Sequence, residues 1–162
     1  TRKESSAASD VYKRQVLRDW RPDDLEDLYA FASVPGVGEM AGWSHHKSLD
    51  DSRQFLKMFH EFKTVYCMEC DGHAIGCIDF DWDKYKKDFV SIGYAMGKDY
   101  WGQGLMTEAL VAIMDYIIDE YGVKNFCARS YTNNVRSRKL LMRLGFKLMS
   151  SNSYECYYEI TI

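Results

Sequence analysis

The stretch from Val90 to Leu110 limits the fold most strongly, because its hydrophobic period changes from two residues to about 3.6. The alternation of larger apolar and small residues up to Met96 predicts a β-strand. Apolar positions after Gly104 repeat at helical spacing and predict a long amphipathic helix, which Gly122 would end. A strand therefore runs through a glycine-rich loop directly into a helix.

The periodicity of the rest of the chain predicts an α+β fold. Asp71-Gly72 is a strong hairpin signal, so this turn and the strand ending at Met96 predict three consecutive antiparallel strands. A short strand and two helices should precede them, and Ser48 should cap the second helix. The predicted order is β-α-α-β-β-β-α-β-α-β-β, which indicates a mixed, mostly antiparallel central sheet with helices on both faces.

Length and composition limit the domain organisation and the partners. The chain has 162 residues and a formal net charge of −3, which suits one core and argues against a general nucleic-acid binder. No apolar run approaches the roughly 20 residues of a membrane span, so we predict no membrane partner. We expect residues 1–13 to be a disordered or non-native extension and residues 14–162 to form a single domain.

The cysteines and histidines favour a reduced protein without a metal. The cysteine count of five is odd and the head of the chain has no apolar leader, so a cytoplasmic location is predicted. Cys67 and Cys70 are not followed by a second pair, and His45 and His46 lack further ligands nearby in the sequence. We therefore predict that no metal is bound.

The glycine-rich loop predicts an anion site at the start of the long helix. Gly102 and Gly104 allow close approach of a ligand, and the free N–H groups of a first helical turn attract anions. A GxxxxGK(S/T) phosphate loop is absent, and Thr107 replaces the third glycine of a dinucleotide fingerprint. Another pyrophosphate is therefore the predicted ligand. Its predicted backbone donors are Gln103, Gly104, Leu105, Met106 and Thr107.

Two segments resemble the GNAT acetyltransferase superfamily. Residues 99–104 resemble its pyrophosphate loop, Gln/Arg-x-x-Gly-x-Gly/Ala, with Asp99 where Gln or Arg is usual. Residues 134–137 and 144–146 resemble the Asn-x-x-Ser…Leu-Gly-Phe pattern of the branch related to ribosomal-protein N-terminal (RimJ/RimL-like) acetyltransferases. The resemblance extends from about Val16 to the C-terminus and implies the GNAT fold.

The resemblance implies an acetyl-CoA-dependent N-acetyltransferase. In that family a primary amine, such as a peptide N-terminus or a small amine, attacks the thioester directly, and the pantetheine arm lies beside the central strand. Backbone groups at Met96, Gly97 and Lys98 would bind this arm and polarise the acetyl oxygen. The implied acetyl-CoA contacts are Met96, Gly97, Lys98, Gly102, Gln103, Gly104, Leu105, Met106, Thr107, Asn134 and Ser137.

The resemblance also implies the catalytic groups. Ser137, the serine of the matching Asn-x-x-Ser motif, is the donor to the leaving thiolate that the resemblance implies. Many other relatives use a tyrosine further along that helix, where this chain has Leu140 and Leu141. Many relatives also place a glutamate near Ser91, where this chain has no carboxylate. Asp79, Asp81 and Glu155 are the possible substitutes, and Asp79 is our predicted catalytic carboxylate. A catalytic base is needed most when the acceptor is a lysine side chain, whose deprotonation at pH 7 costs roughly 4–5 kcal/mol, whereas that of an α-amine costs about 1.4 kcal/mol.

The acceptor should approach from the side of the first two helices. Met40, Trp43, His45 and His46 are candidate contacts there, and the predicted substrate-binding residues are Trp43, His46 and Asp81. Two alternatives stay open: a non-catalytic acyl-CoA-binding or sensing module, favoured by Asp99 and the missing carboxylate, and a site for an unrelated anion. The resemblance is also compatible with a homodimer.

Overall fold

The computed structural model describes residues 14–162, so the predicted extension lies outside the described residues. The strands within this range are β1 (Gln15–Arg18), β2 (Val65–Cys70), β3 (His73–Trp82), β4 (Phe89–Met96), β5 (Asn125–Tyr131), β6 (Lys147–Ser151) and β7 (Glu155–Thr161). The α-helices are α1 (Leu25–Ala32), α2 (Leu49–Phe62), α3 (Leu105–Tyr121) and α4 (Val135–Arg143), with 3-10 turns at Pro22–Asp24, Glu39–Ala41 and Lys98–Tyr100. The predicted order of strands and α-helices is confirmed.

The strands form a mixed sheet with the order β1-β2-β3-β4-β5-β7-β6. Every neighbouring pair is antiparallel except β4 and β5, which run parallel. The predicted hairpin between β2 and β3 is confirmed, because Asp71 and Gly72 both have positive φ angles of 50° and 81°. The predicted α+β class, with a mostly antiparallel sheet, is therefore correct.

The two parallel strands separate halfway along their length. Their pairing extends from Phe89 opposite Asn125 to Ile92 opposite Ala128. Beyond these pairs β4 continues to Met96 without β5, whereas β5 stays paired with β7 along its whole length. The result is an opening in the middle of the sheet, where one edge of β4 has no strand partner within residues 14–162.

Helices cover both faces of the sheet, as predicted. The predicted apolar face of α3 is buried in the larger core, on Met106, Ala109, Leu110, Ile113 and Ile117. Helices α1 and α2 pack on the opposite face around a smaller cluster that includes Leu28, Phe31 and Phe59. Within residues 14–162, no helix combines the length and the apolar character needed to cross a bilayer.

Helix α2 agrees with its sequence prediction at its start but only partly along its apolar face. The Ser48 side chain accepts a hydrogen bond from the backbone N–H of Asp51 at 3.3 Å, which confirms the predicted cap. Of the predicted apolar face, Phe59 is buried, but Met58 and Phe62 are 38% and 65% exposed. The face is incomplete because Met58 borders a cavity and Phe62 ends the helix.

Candidate active site

A cavity of about 450 Å³ lies at the opening between β4 and β5. Apolar side chains of α2 and of the preceding loop, including Trp43 and Phe55, form its wall on one face of the sheet. On the other face it reaches Asn134 and Ser137 at the start of α4. The strand separation therefore joins the two faces of the sheet in one cavity.

The start of α3 presents backbone donors that lack acceptors. Gly102 and Gly104 adopt positive φ angles of 76° and 77°, which glycine reaches without a steric penalty. The first helical bond runs from the N–H of Glu108 to the carbonyl of Gly104, at 3.1 Å. Between residues 14 and 162 we find no acceptor for the N–H groups of residues 105–107. This open first turn has the donors and the dipole that a diphosphate requires.

A guanidinium lies beside this loop. The Arg136 guanidinium stacks on the Trp101 ring, 3.4 Å from its centroid, and forms no ion pair with another described residue. Asp99, by contrast, brings a negative charge to the first position of the loop, and the Lys98 ammonium donates to the Pro35 carbonyl at 2.7 Å. Arg136 is therefore the available cation from α4 next to a loop whose first residue is acidic.

The register of β4 determines which backbone groups face the opening. The N–H of Gly97 donates to the Ile75 carbonyl at 2.9 Å, so Gly97 faces β3. Because backbone groups alternate along a strand, those of Tyr94 and Met96 point away from β3. The Met96 carbonyl accepts the indole N–H of Trp101 at 2.8 Å, so its N–H is the group that is left for a ligand. Of the three residues predicted here, Met96 faces the opening, Gly97 has its N–H engaged, and Lys98 begins a 3-10 turn. Tyr94 was missed because its register to β5 is not visible in the sequence.

Two hydroxyl groups meet at the wall of the cavity near α4. The Tyr94 hydroxyl and the Ser137 hydroxyl are 2.7 Å apart. The Ser137 N–H donates to the side-chain oxygen of Asn134 at 3.2 Å, so Asn134 caps α4 as its sequence position suggested. Burial raises the pKa of the Tyr94 phenol to about 12, and the phenol is therefore protonated at neutral pH. The structure thus brings Tyr94 to the predicted catalytic serine.

Asp79 lies on the acceptor side of the cavity, opposite Gly93. A β-carbon at position 93 would lie 2.5 Å from one carboxylate oxygen of Asp79, so only glycine leaves room for this side chain. Asp79 is exposed to the cavity, and desolvation by the surrounding protein raises the pKa of its carboxyl. Within the described part of the chain, no cation lies within 4 Å of it. Asp79 is thus a carboxylate with room for a ligand and without a counterion.

The other two predicted carboxylates differ in position. Glu155 lines the cavity and lies 3.9 Å from Arg129, which is itself paired with Asp83 at 2.9 Å. Asp81 is exposed outside the cavity lining, and its side chain accepts the N–H of Trp82. Asp81 is outside the cavity because β3 extends past the region where β4 and β5 separate. The structure therefore does not support its predicted contact with an acceptor.

The predicted histidine contact is also not at the cavity surface. Trp43 lines the cavity, as expected of an acceptor contact. His46 is only 3% exposed and lies behind it, with Nδ1 2.8 Å from the Ser52 hydroxyl and its ring against Phe55. Burial lowers the pKa of His46, so the ring is neutral at pH 7. The physical reason for the difference is that the aromatic cluster around Phe55 takes up the imidazole.

Comparison with known proteins identifies the family of the chain. The family profile described as "Acetyltransferase (GNAT) domain" matches residues 14–147. An uncharacterized N-acetyltransferase, p20 of Bacillus licheniformis, is 24% identical over 143 residues, which cover 83% of this chain and 80% of that protein. The ribosomal-protein-serine acetyltransferase of Escherichia coli is 27% identical over 96 residues, or 59% of this chain and 50% of that protein.

A solved structure shares the fold at low identity. The microcin C7 self-immunity acetyltransferase MccE, in complex with acetyl-CoA and AMP, superposes with a TM-score of 0.79 and 18% identity, covering 94% of each chain. Because the family profile spans most of the described residues, it decides the assignment, and it favours an enzyme over a sensing module. The chain therefore belongs to the GNAT acetyltransferase family and is an acyltransferase of the N-acetyltransferase type.

Proposed function

We propose that the chain transfers the acetyl group of acetyl-CoA to a primary amine, either a peptide N-terminus or a small amine. One observation carries the proposal: the cavity at the opening between β4 and β5 is lined by the Asp79 carboxylate on one face of the sheet and by Ser137 on the other. The same strand β4 leads through the glycine-rich loop to the start of α3, where the N–H groups of residues 105–107 have no acceptor among the described residues. An acyl donor held by the amides would have its thioester near that carboxylate.

The donor side of the site has groups suited to acetyl-CoA. The N–H groups of residues 105–107 would bind the diphosphate, with Arg136 as a neighbouring cation. The backbone groups of Tyr94 and the N–H of Met96 would bind the pantetheine arm through hydrogen bonds, as a partner strand does, while the Met96 carbonyl stays bonded to Trp101. One of these N–H groups would also polarise the acetyl oxygen, because it points into the opening and has no strand partner.

On the acceptor side, Asp79 would prepare the amine. An ammonium entering between the α1–α2 loop and β3 would meet Asp79 on a wall that is otherwise largely apolar. The ammonium would first release one proton to solvent and become the neutral amine. The carboxylate would then accept a second proton from the nitrogen, directly or through water, as the nitrogen forms its bond to the acetyl carbon. The carbon–sulfur bond then breaks and its electron pair goes to sulfur, beside Ser137.

The acceptor class follows from the cost of deprotonation. An α-amine loses its proton at pH 7 for about 1.4 kcal/mol, which a single carboxylate of raised pKa can assist. The E. coli relative acts on a serine of a ribosomal protein by its name, and this supports a peptide N-terminus as one candidate acceptor. A cytoplasmic location and a homodimer are likewise retained as proposals.

The test is an acceptor screen with free-thiol detection. We expect a subset of peptides or small amines to release CoA thiol from acetyl-CoA, with one acetyl amide formed for each thiol. The same acceptors with a formylated amine are the matched control and should give only the hydrolysis blank. Saturable acetyl-CoA binding without turnover across the screen would contradict the proposal and favour a sensing module. Failure of acetyl-CoA to raise the melting temperature would instead favour an unrelated anion.

A further inference from the structure

The hydroxyls of Tyr94 and Ser137 form a pair that the sequence motif does not contain. Tyr94 extends from β4 and Ser137 from the first turn of α4, and the two oxygens lie 2.7 Å apart at the cavity wall. Leu140 and Leu141 of α4 are buried in the core and carry no hydroxyl group. The hydroxyl that contacts Ser137 comes instead from the sheet, on Tyr94.

The chemistry of the two groups sets the direction of their hydrogen bond. A phenol is a stronger acid than an aliphatic alcohol, so the favoured arrangement has the Tyr94 O–H donating to the Ser137 oxygen. The Ser137 backbone is held by its N–H bond to Asn134, at 3.2 Å. In that arrangement the Ser137 hydroxyl hydrogen is not used by Tyr94 and is free to point into the cavity, which Ser137 lines.

We propose that Tyr94 is a positioning residue for the acetyl transfer, which holds the Ser137 hydroxyl so that its hydrogen meets the departing sulfur of the acyl donor. The inference rests on the proposed function. As the amine nitrogen bonds to the acetyl carbon, the carbon–sulfur bond breaks and negative charge gathers on sulfur. The hydroxyl hydrogen of Ser137 forms a hydrogen bond to that sulfur, and the phenol hydrogen of Tyr94 forms a hydrogen bond to the Ser137 oxygen. Both protons stay on their own oxygens. Hydrogen bonds in such a chain polarise and strengthen one another.

The test is a double-mutant cycle on turnover. Tyr94→Phe keeps the ring and removes only the hydroxyl, and we expect it to lower kcat by about fivefold to tenfold. The KM for acetyl-CoA should change by less than about twofold, because the effect belongs to the transition state. In the Ser137→Ala background the same change should cost nothing further. Tyr85→Phe is the matched control, because Tyr85 is 86% exposed. This substitution should change kcat negligibly.

The outcomes separate this inference from the proposed function. If the wild-type protein releases no thiol with any amine, the proposed function fails and this inference fails with it. If the wild type is active but Tyr94→Phe costs the same factor with and without Ser137, the tyrosine is only structural and this inference alone is overturned. Ser137→Thr, which keeps a hydroxyl, should remain sensitive to Tyr94→Phe. Melting temperature and acetyl-CoA binding of each variant establish that it is folded.

Discussion

Gly104→Val should weaken acetyl-CoA binding by about 100-fold, which corresponds to losing two charge-assisted hydrogen bonds of about 1.5 kcal/mol each. Gly104 has a φ of 77°, a conformation that a β-branched residue avoids. To relieve this strain the loop must change its backbone angles, and the amides that follow it then lose their common direction. Titration calorimetry with acetyl-CoA gives the change in Kd.

The effect should be specific to the ligand rather than to folding. A β-carbon on Gly104 would meet only the Arg14 guanidinium, at an ordinary 3.8 Å. Gly72→Val is the matched control, because Gly72 has a similar φ of 81°, an open surrounding and a position in the β2–β3 hairpin. Both variants should lose similar stability, and only Gly104→Val should lose affinity. Equal acetyl-CoA affinity in the two folded variants would contradict the assignment of the loop.

Asp79→Asn should lower kcat by about 100-fold, the lower end of what a general base contributes. Asparagine keeps the shape of the side chain beside Gly93 but cannot accept a proton from the amine. Acetyl-CoA affinity should be unchanged, because Asp79 lies on β3, away from the amides of α3. Steady-state kinetics with the acceptor found in the screen measures the effect.

The pH dependence of the wild type gives a second readout of the same group. Burial raises the pKa of the Asp79 carboxyl above its usual value of 3.8. Only the ionised form can accept a proton, so turnover should fall as the pH decreases through this raised pKa. Asp79→Asn should lack that acidic limb and keep only the limb that reflects ionisation of the amine.

Two measurements serve as controls for this prediction: the stability of Asp79→Asn and the activity of Asp81→Asn. The pKa of Asp79 is raised in the folded protein, so ionisation of its carboxyl destabilises the fold at pH values above this raised pKa. At pH values below the ordinary pKa of 3.8 the carboxyl is protonated in both the folded and the unfolded state, and this destabilisation is absent. Asp79→Asn should therefore be at least as stable as the wild type at pH 8. Asp81→Asn should be nearly as active as the wild type, since Asp81 lies outside the cavity lining. Comparable losses in both variants would exclude Asp79 as the specific base.

The fold was largely predictable because it depends on local patterns. The period change between β4 and α3 and the Asp71-Gly72 turn are each encoded within a few neighbouring residues. The same holds for the caps at Ser48 and Asn134, whose side chains bond to the backbone three residues on. These features require no knowledge of tertiary packing.

The site was only partly predictable because it depends on register between distant segments. The Tyr94–Ser137 contact requires the position of α4 against β4, and the separation of β4 from β5 decides which backbone groups are open. The same limitation explains the two misplaced acceptor contacts. His46 is taken up by the aromatic cluster, and Asp81 lies beyond the opening.

The most direct test of the central claim is an amide NMR titration of the ¹⁵N-labelled protein with acetyl-CoA and with acetyl-pantetheine, which lacks the diphosphate. We predict large shifts at the amides of residues 105–107 with acetyl-CoA only, and shifts at Tyr94 and Met96 with both compounds. Saturable binding of acetyl-CoA that leaves the amides of residues 105–107 unchanged would contradict the account.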